Sequence, residues 1–294
     1  MRHFVFFLFV FAASYSQERP PFERFNPKDK AIYLRALNEL EKTTTNALEK
    51  NQKHIKLASQ FNNQDDLITA LENKLALQGE TAHLRYLLGG ANGIKATQVS
   101  KFLSFPYVKA MLRNFERSVA IDSTYTPALE AYIESLCMVP DLLGGDLDKA
   151  VFLADHLERL SPVEGLFSKG FIAQHQGKVG SVFYAEAFAL LSTVGFCHSD
   201  LSSYFADKSM NFAYKIAEVS AYFKLSPALG LCAINHFLKQ RTPYDNIPIE
   251  WIYFRKGQLH LLLEENELAD KNFKKALKIN PKLDSVINST LSTL

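Results

Sequence analysis

Cys197-His198-Ser199-Asp200 brings a thiol, an imidazole and a carboxylate into four consecutive residues. These side-chain types ligate transition metals, or combine as nucleophile and base. Adjacent residues of one loop seldom converge on a single ion, and no second Cys or His pair stands at the spacing of a zinc centre. A Cys197 nucleophile would also need a base within hydrogen-bond reach and an oxyanion pocket. No metal and no cofactor is expected, and an enzyme using Cys197 and His198 stands only as an alternative. Gly144-Gly145 precedes Asp146, where a helix start could hold an anion. No Lys-Ser or Lys-Thr pair follows, and Asp146 with Asp148 would repel phosphate, so the glycines read as a turn. Among His54, His83, His156, His175, His236 and His260, no two stand at i, i+4 with an intervening glutamate.

Ten aromatic residues fall between Phe183 and Phe223, about twice the density of the whole chain. Such rings anchor interfaces or ligands, but they fill an inter-helix core equally well. A ligand-capturing or transporter-associated subunit with an apolar pocket here is the second alternative.

The elements that must position these residues are helical. Ala31, Leu34, Leu37 and Leu40 repeat at spacing three, and Ala47, Leu48, Ile55 and Ala58 follow after Thr43-Thr44-Thr45. Consecutive β-branched residues weaken a helix and mark a bend or break there. Leu67, Ala70, Leu71 and Leu75 form the next helix, which Gly79 stops. Residues 81–91 begin another, 93–106 read as an insertion, and Val108 to Ile121 follow. Pro127 opens a helix that Pro140 closes, and Asp146 caps the one running to Pro162. Helices are further expected at about 163–176, 178–191, 199–224 and 228–240. No stretch alternates with period two between hairpin turns, so the fold class is all-α.

Phe4 to Ala13 are ten apolar residues in a row after Arg2, with small Ser14 and Ser16 beyond. That is too short to span a bilayer but suits a secretory signal. Residues 1–16 are therefore expected to be a signal peptide cleaved near Ser16-Gln17, which makes the chain secreted or periplasmic. The mature chain of about 275 residues exceeds the usual single domain and carries no membrane span. With hydrophobic content of 47% and charged content of 22%, it is a folded protein, and a net charge of +2 without a basic stripe points away from nucleic acid. Three cysteines, Cys137, Cys197 and Cys232, permit at most one bridge.

Gly257, Ala269, Phe273, Ala276 and Pro281 have the spacing of two antiparallel helices held close by small residues. Ala269, Phe273 and Ala276 share one face, and Pro281 falls where the second helix must end. With Tyr253, this set resembles the tetratricopeptide repeat family. Ala150, Ala154 and Pro162 match a second unit, Gly89 with Phe115 and Ser118 a third, and Gly177 with Tyr184 and Ala187 a fourth. The string from Leu87 through Phe115 to Ala150 is also similar to secreted or periplasmic bacterial repeat proteins without assigned activity. The resemblance implies an α-solenoid of degenerate helix-turn-helix units over 80–281, after a leader and helical extension at 17–79. Residues 282–294, with Leu283, Val286, Ile287, Leu291 and Leu294, would form a C-terminal capping helix.

Some members of that family clamp a peptide carboxylate with Lys and Asn on the inner face of each first helix. The matching positions here are Phe254, Gln258, Leu261 and Leu262, and Gly165, Lys169, Ile172 and Ala173. The clamp is absent, which leaves a mixed groove that Lys169, Trp251, Phe254 and Gln258 would line. The expected function is a non-catalytic scaffold for another protein or a peptide segment.

Overall fold

A computed structural model describes residues 24–198, 200–209, 211–242 and 247–293. The expected signal segment lies outside these residues. Among the described residues all regular structure is helical, in fifteen α-helices. These are α1 (Lys30–Thr43), α2 (Ala47–Gln60), α3 (Gln64–Gln78), α4 (Ala82–Gln98), α5 (Lys101–Ile121), α6 (Thr126–Met138), α7 (Leu147–Leu160) and α8 (Pro162–His175). They continue as α9 (Ser181–Thr193), α10 (Leu201–Tyr204), α11 (Phe212–Phe223), α12 (Pro227–Gln240), α13 (Ile249–Leu262), α14 (Asn266–Ile279) and α15 (Asp284–Thr293).

Local chemistry explains most of the boundaries. Asn46, Asn63, Thr81 and Asp146 each accept a hydrogen bond from the amide three residues on, which satisfies a donor the first helical turn would leave orphaned. The threonine run ends α1 at Thr43 as expected. Gly79 leaves α3 at φ +79°, a conformation that glycine adopts without a Cβ clash. Pro127 and Pro162 sit in the first turns of α6 and α8, where their missing N–H costs nothing.

Two segments differ from expectation. Residues 93–106 are not an insertion: α4 runs on to Gln98, and α5 starts at Lys101 with Pro106 in its second turn. One continuous helix does not cover 199–224 either. After α10 the chain leaves helical geometry, because Lys208 is drawn to Glu164 and the Asp207 carbonyl accepts a hydrogen bond from Thr126 Oγ1 at 3.3 Å.

The described residues divide into two compact units. In the unit of residues 24–212, each helix from α1 to α8 packs against its successor, and α4 also touches α6, as α6 touches α8. Helices α6 and α8 are thereby enclosed on several sides. Phe115 of α5, Leu129, Ile133 and Leu136 of α6, Ala150, Ala154 and Leu157 of α7 and Ile172 of α8 join in one cluster. Each large apolar side chain there contributes about 1.5–3 kcal/mol of burial free energy.

In the unit of residues 213–240 and 247–293, α13 packs on α12 and, most intimately, on α14. Leu283 and Ile287 bury one side of the α15 region, while Leu291, expected on the same stripe, is half exposed. No helix among the described residues is long and apolar enough to cross a membrane.

Candidate functional site

Helix α13 carries three of the four side chains expected to line a groove, and all three are buried. Trp251 is 5% exposed, Phe254 0% and Gln258 5%. Spaced three and four apart, they lie along one side of the helix together with Arg255. The Arg255 guanidinium, 1% exposed, donates from Nη2 to Glu218 Oε1 at 3.0 Å and from Nη1 to Gln258 Oε1 at 2.8 Å. Gln258 Nε2 in turn donates to Thr290 Oγ1 at 3.4 Å. A buried polar relay thus joins α11, α13 and α15, and a charge removed from water is compensated. Burial drives the Tyr214 phenol well above its ordinary pKa, the neighbouring Arg255 charge opposing this only in part. Trp251 stacks edge-on against Phe254 at 5.6 Å. Trp251, Phe254 and Gln258 are thus enclosed in a core.

Lys169, the fourth groove residue, belongs to α8 in the other unit and is partly exposed. Its ammonium bonds to Asp155 at 2.8 Å and to Glu158. Partial burial pulls its pKa down, but the two carboxylates more than offset this and hold it above the ordinary lysine value. Its neighbours Gly165, Ile172 and Ala173 are core residues. A Cβ on Gly165 would stand 2.2 Å from the Glu158 Cα, so α7 and α8 cross there almost backbone to backbone.

The small-residue positions come together as their spacing implies. A Cβ on Gly257 would lie 2.5 Å from the Phe273 ring, and Ala269 and Ala276 are buried on the same helix as that ring. Pro281 begins a 3-10 turn after α14 has ended. Gly89 meets Phe115 in the same way, at 2.6 Å, while Ser118 is buried and donates to the Ala82 carbonyl at 2.6 Å. Ala150 and Ala154 are fully buried. One assignment needs correcting: the glycine opposite Tyr184 is Gly170, at 2.5 Å, whereas Gly177 occupies the loop after α8 with φ +68°. Gly177 lies past the helix end, where a Schellman-type turn needs positive φ, and this is why it stands out in the sequence.

The residues singled out for reactivity have other employment. Cys197 and Cys232 are disulfide-bonded. His198 is exposed, and Asp200 caps α10 by accepting from the Ser202 amide. Cys137 is a free thiol whose pKa burial pushes up to about 12. Gly144 has φ +103°, and a Cβ on Gly145 would stand 1.7 Å from the Val139 carbonyl oxygen. The glycine pair is a tight turn onto the Asp146 cap.

The aromatic segment stacks on itself. Phe167 meets Tyr184, Phe188 and Phe212 with centroids 5.3–5.9 Å apart, and Phe196 meets Tyr204 and Phe205 at 5.1 and 5.8 Å. These contacts give the rings the edge-on and tilted geometry of a packed core.

Sequence reasoning missed Glu164. It is fully buried at the start of α8, accepts from the Ser161 hydroxyl, and pairs through Oε2 with Lys208 Nζ at 3.1 Å. Lys208 also lies 5.0 Å over the Tyr204 ring. Burial and then the Glu164 and Asp207 charges raise the Tyr204 pKa well above the ordinary phenol value. Ser161-Pro162-Val163-Glu164 has the serine-to-glutamate spacing of a capping box, the one local signal available. Lys208 lies 44 residues away, and nothing local announces it.

No protein-family model matches this chain, and no curated protein does.

Proposed function

We propose that this chain is a non-catalytic helical-repeat scaffold of tetratricopeptide type that docks another protein or a peptide segment outside the cytoplasm. The observation that carries the reading is a recurrent nest. Gly89 against Phe115, Gly170 against Tyr184 and Gly257 against Phe273 each place a first-helix glycine beneath a second-helix ring. In the unit of residues 24–212, the contacts of α4 with α6 and of α6 with α8 add the neighbour-to-neighbour packing on which repeat arrays depend. Disulfide-bonded Cys197 and Cys232 agree with an oxidising compartment, as does the apolar run after Arg2.

Because α6 and α8 are enclosed, docking falls to the outward sides of second helices, where Phe152 of α7 is 69% and Val182 of α9 64% exposed. A photoreactive amino acid at Phe152 or Val182, in the native envelope, should give a discrete adduct with a second protein. The same probe at Lys274, on the polar side of α14, should not. Adducts absent from both apolar positions would overturn the docking reading, and a mature chain that retains residues 1–16 in the cytoplasm would overturn the location.

A further inference from the structure

The first three turns of α5 leave apolar side chains in water. Phe102 is 96% exposed, Leu103 63% and Phe105 38%. Phe102, Phe105, Lys109 and Arg113 stand at i, i+3, i+7 and i+11, which is one side of a helix, and the opposite side holds buried Asn114, Phe115 and Ser118. Lys109 Nζ lies 4.5 Å over the Phe105 ring, so cation and aromatic share this side in contact. From Lys101 to Phe115 the helix carries Lys101, Lys109 and Arg113 and no carboxylate.

Arg24 adds a further cation at this end by donating to the Thr97 carbonyl, at the last turn of α4. The turn at Asp141–Leu143 also packs on α5 and exposes Leu142 (94%) together with the Asp141 carboxylate, so it is not counted as part of the cationic surface. A protein-binding surface would more commonly ring its apolar centre with both signs of charge. Along residues 101–113 of α5, protruding phenyl and leucyl groups alternate with ammonium and guanidinium groups, and no carboxylate intervenes. That composition matches a lipid interface, where apolar groups enter the headgroup layer and cations meet phosphates.

We infer that the N-terminal turns of α5, with Phe102, Leu103 and Phe105 inserting and Lys101, Lys109 and Arg113 pairing with headgroups, form a peripheral docking surface for an anionic bilayer. This goes beyond the scaffold reading and does not depend on it, since the site lies wholly within one helix.

Hydrogen exchange of the full chain tests the inference. The amides of Lys101 and Phe102 precede the first helical hydrogen bonds, which begin at Leu103 and Ser104, and Pro106 has no N–H to return to the Phe102 carbonyl. Exchange in the peptide covering 100–106 should therefore be fast in buffer. It should slow on vesicles containing phosphatidylglycerol, and less on phosphatidylcholine alone. Phe102→Ser with Leu103→Ser should weaken vesicle binding at this site about tenfold or more and restore fast exchange, because two large apolar groups no longer leave water. Lys109→Glu with Arg113→Glu should abolish the preference for anionic lipid, as should raised salt. All four positions are solvent-facing, so helicity should be unchanged. Exchange unaltered by vesicles, even if the chain sediments with them through another segment, overturns the proposal. So does protection that persists in the Phe102→Ser, Leu103→Ser variant, or protection that appears without lipid as protein concentration rises, which would mark a second copy as the occupant.

Discussion

Gly89 and Phe115 interlock: a methyl group on Gly89 would fall 2.6 Å from two atoms of the phenyl ring, while its neighbour Gly90 has nothing within 4 Å. Two adjacent glycines of one helix are thus opposite cases. Gly89→Ala should lower unfolding stability by about 1–3 kcal/mol through overpacking. Gly90→Ala should raise it by about 0.5–1 kcal/mol, since alanine loses less backbone entropy on folding. Urea titration of both variants is sufficient, and equal effects would show that the ring does not press on α4. Gly257→Ala should behave like Gly89→Ala.

Lys208 neutralises a carboxylate that water cannot reach. Lys208→Met should cost about 3–5 kcal/mol, because the buried Glu164 carboxyl keeps only the Ser161 hydroxyl and loses its cation. Combining it with Glu164→Gln should recover most of that loss. A double-mutant cycle read by chemical denaturation measures the coupling, and additive effects would show the pair to be incidental.

Acid should loosen the junction of α3, α4 and α5. Arg117 and then Arg85 hold the Glu80 carboxyl from its ordinary 4.5 down to about 2. The folded pKa lies below the unfolded one, so the stabilisation is complete above about pH 4.5 and fades as pH falls towards about 2. Wild type and Glu80→Gln should therefore differ in denaturation midpoint at pH 7 and converge near pH 2. The side chains are partly open to solvent, and salt should shrink the difference.

One thiol should titrate in denaturant without reductant, and three after reduction, given disulfide-bonded Cys197 and Cys232 and free Cys137. In the folded chain at neutral pH, Cys137 should react slowly. Raising its pKa from 9.0 to about 12 removes thiolate by a factor of about a thousand. Labelling kinetics before and after unfolding measure this, and rapid native-state labelling would contradict its burial.

Helix type and the boundaries at Gly79, Pro127 and Asp146 were legible because they are local. Asp146 accepts from the amide three residues on, Pro127 fits a first turn that needs no N–H, and the threonine run interrupts its own helix. The interval from Gly257 to Phe273 was legible for the same reason, as two helices and a short turn fix the distance. Pro106 misled because proline is commonest at helix starts, yet α5 admits it in the second turn. The gap after α10 was hidden because its cause, Glu164, lies on another helix. The burial of three groove candidates was hidden for a related reason. Trp251, Phe254 and Gln258 carry the periodicity of a helix face, but periodicity does not say whether water or Arg255 with its partners lies beyond it.

Helices α6 and α8 each have company on both flanks, so neither owns a complete interior. Removing one hairpin from the middle of that unit would not simply yield a shorter rod. It would strip the wall from the helix next in line, and the damage would spread as bared apolar surface, making solubility of internal deletions a sharper gauge of interdependence than any single substitution.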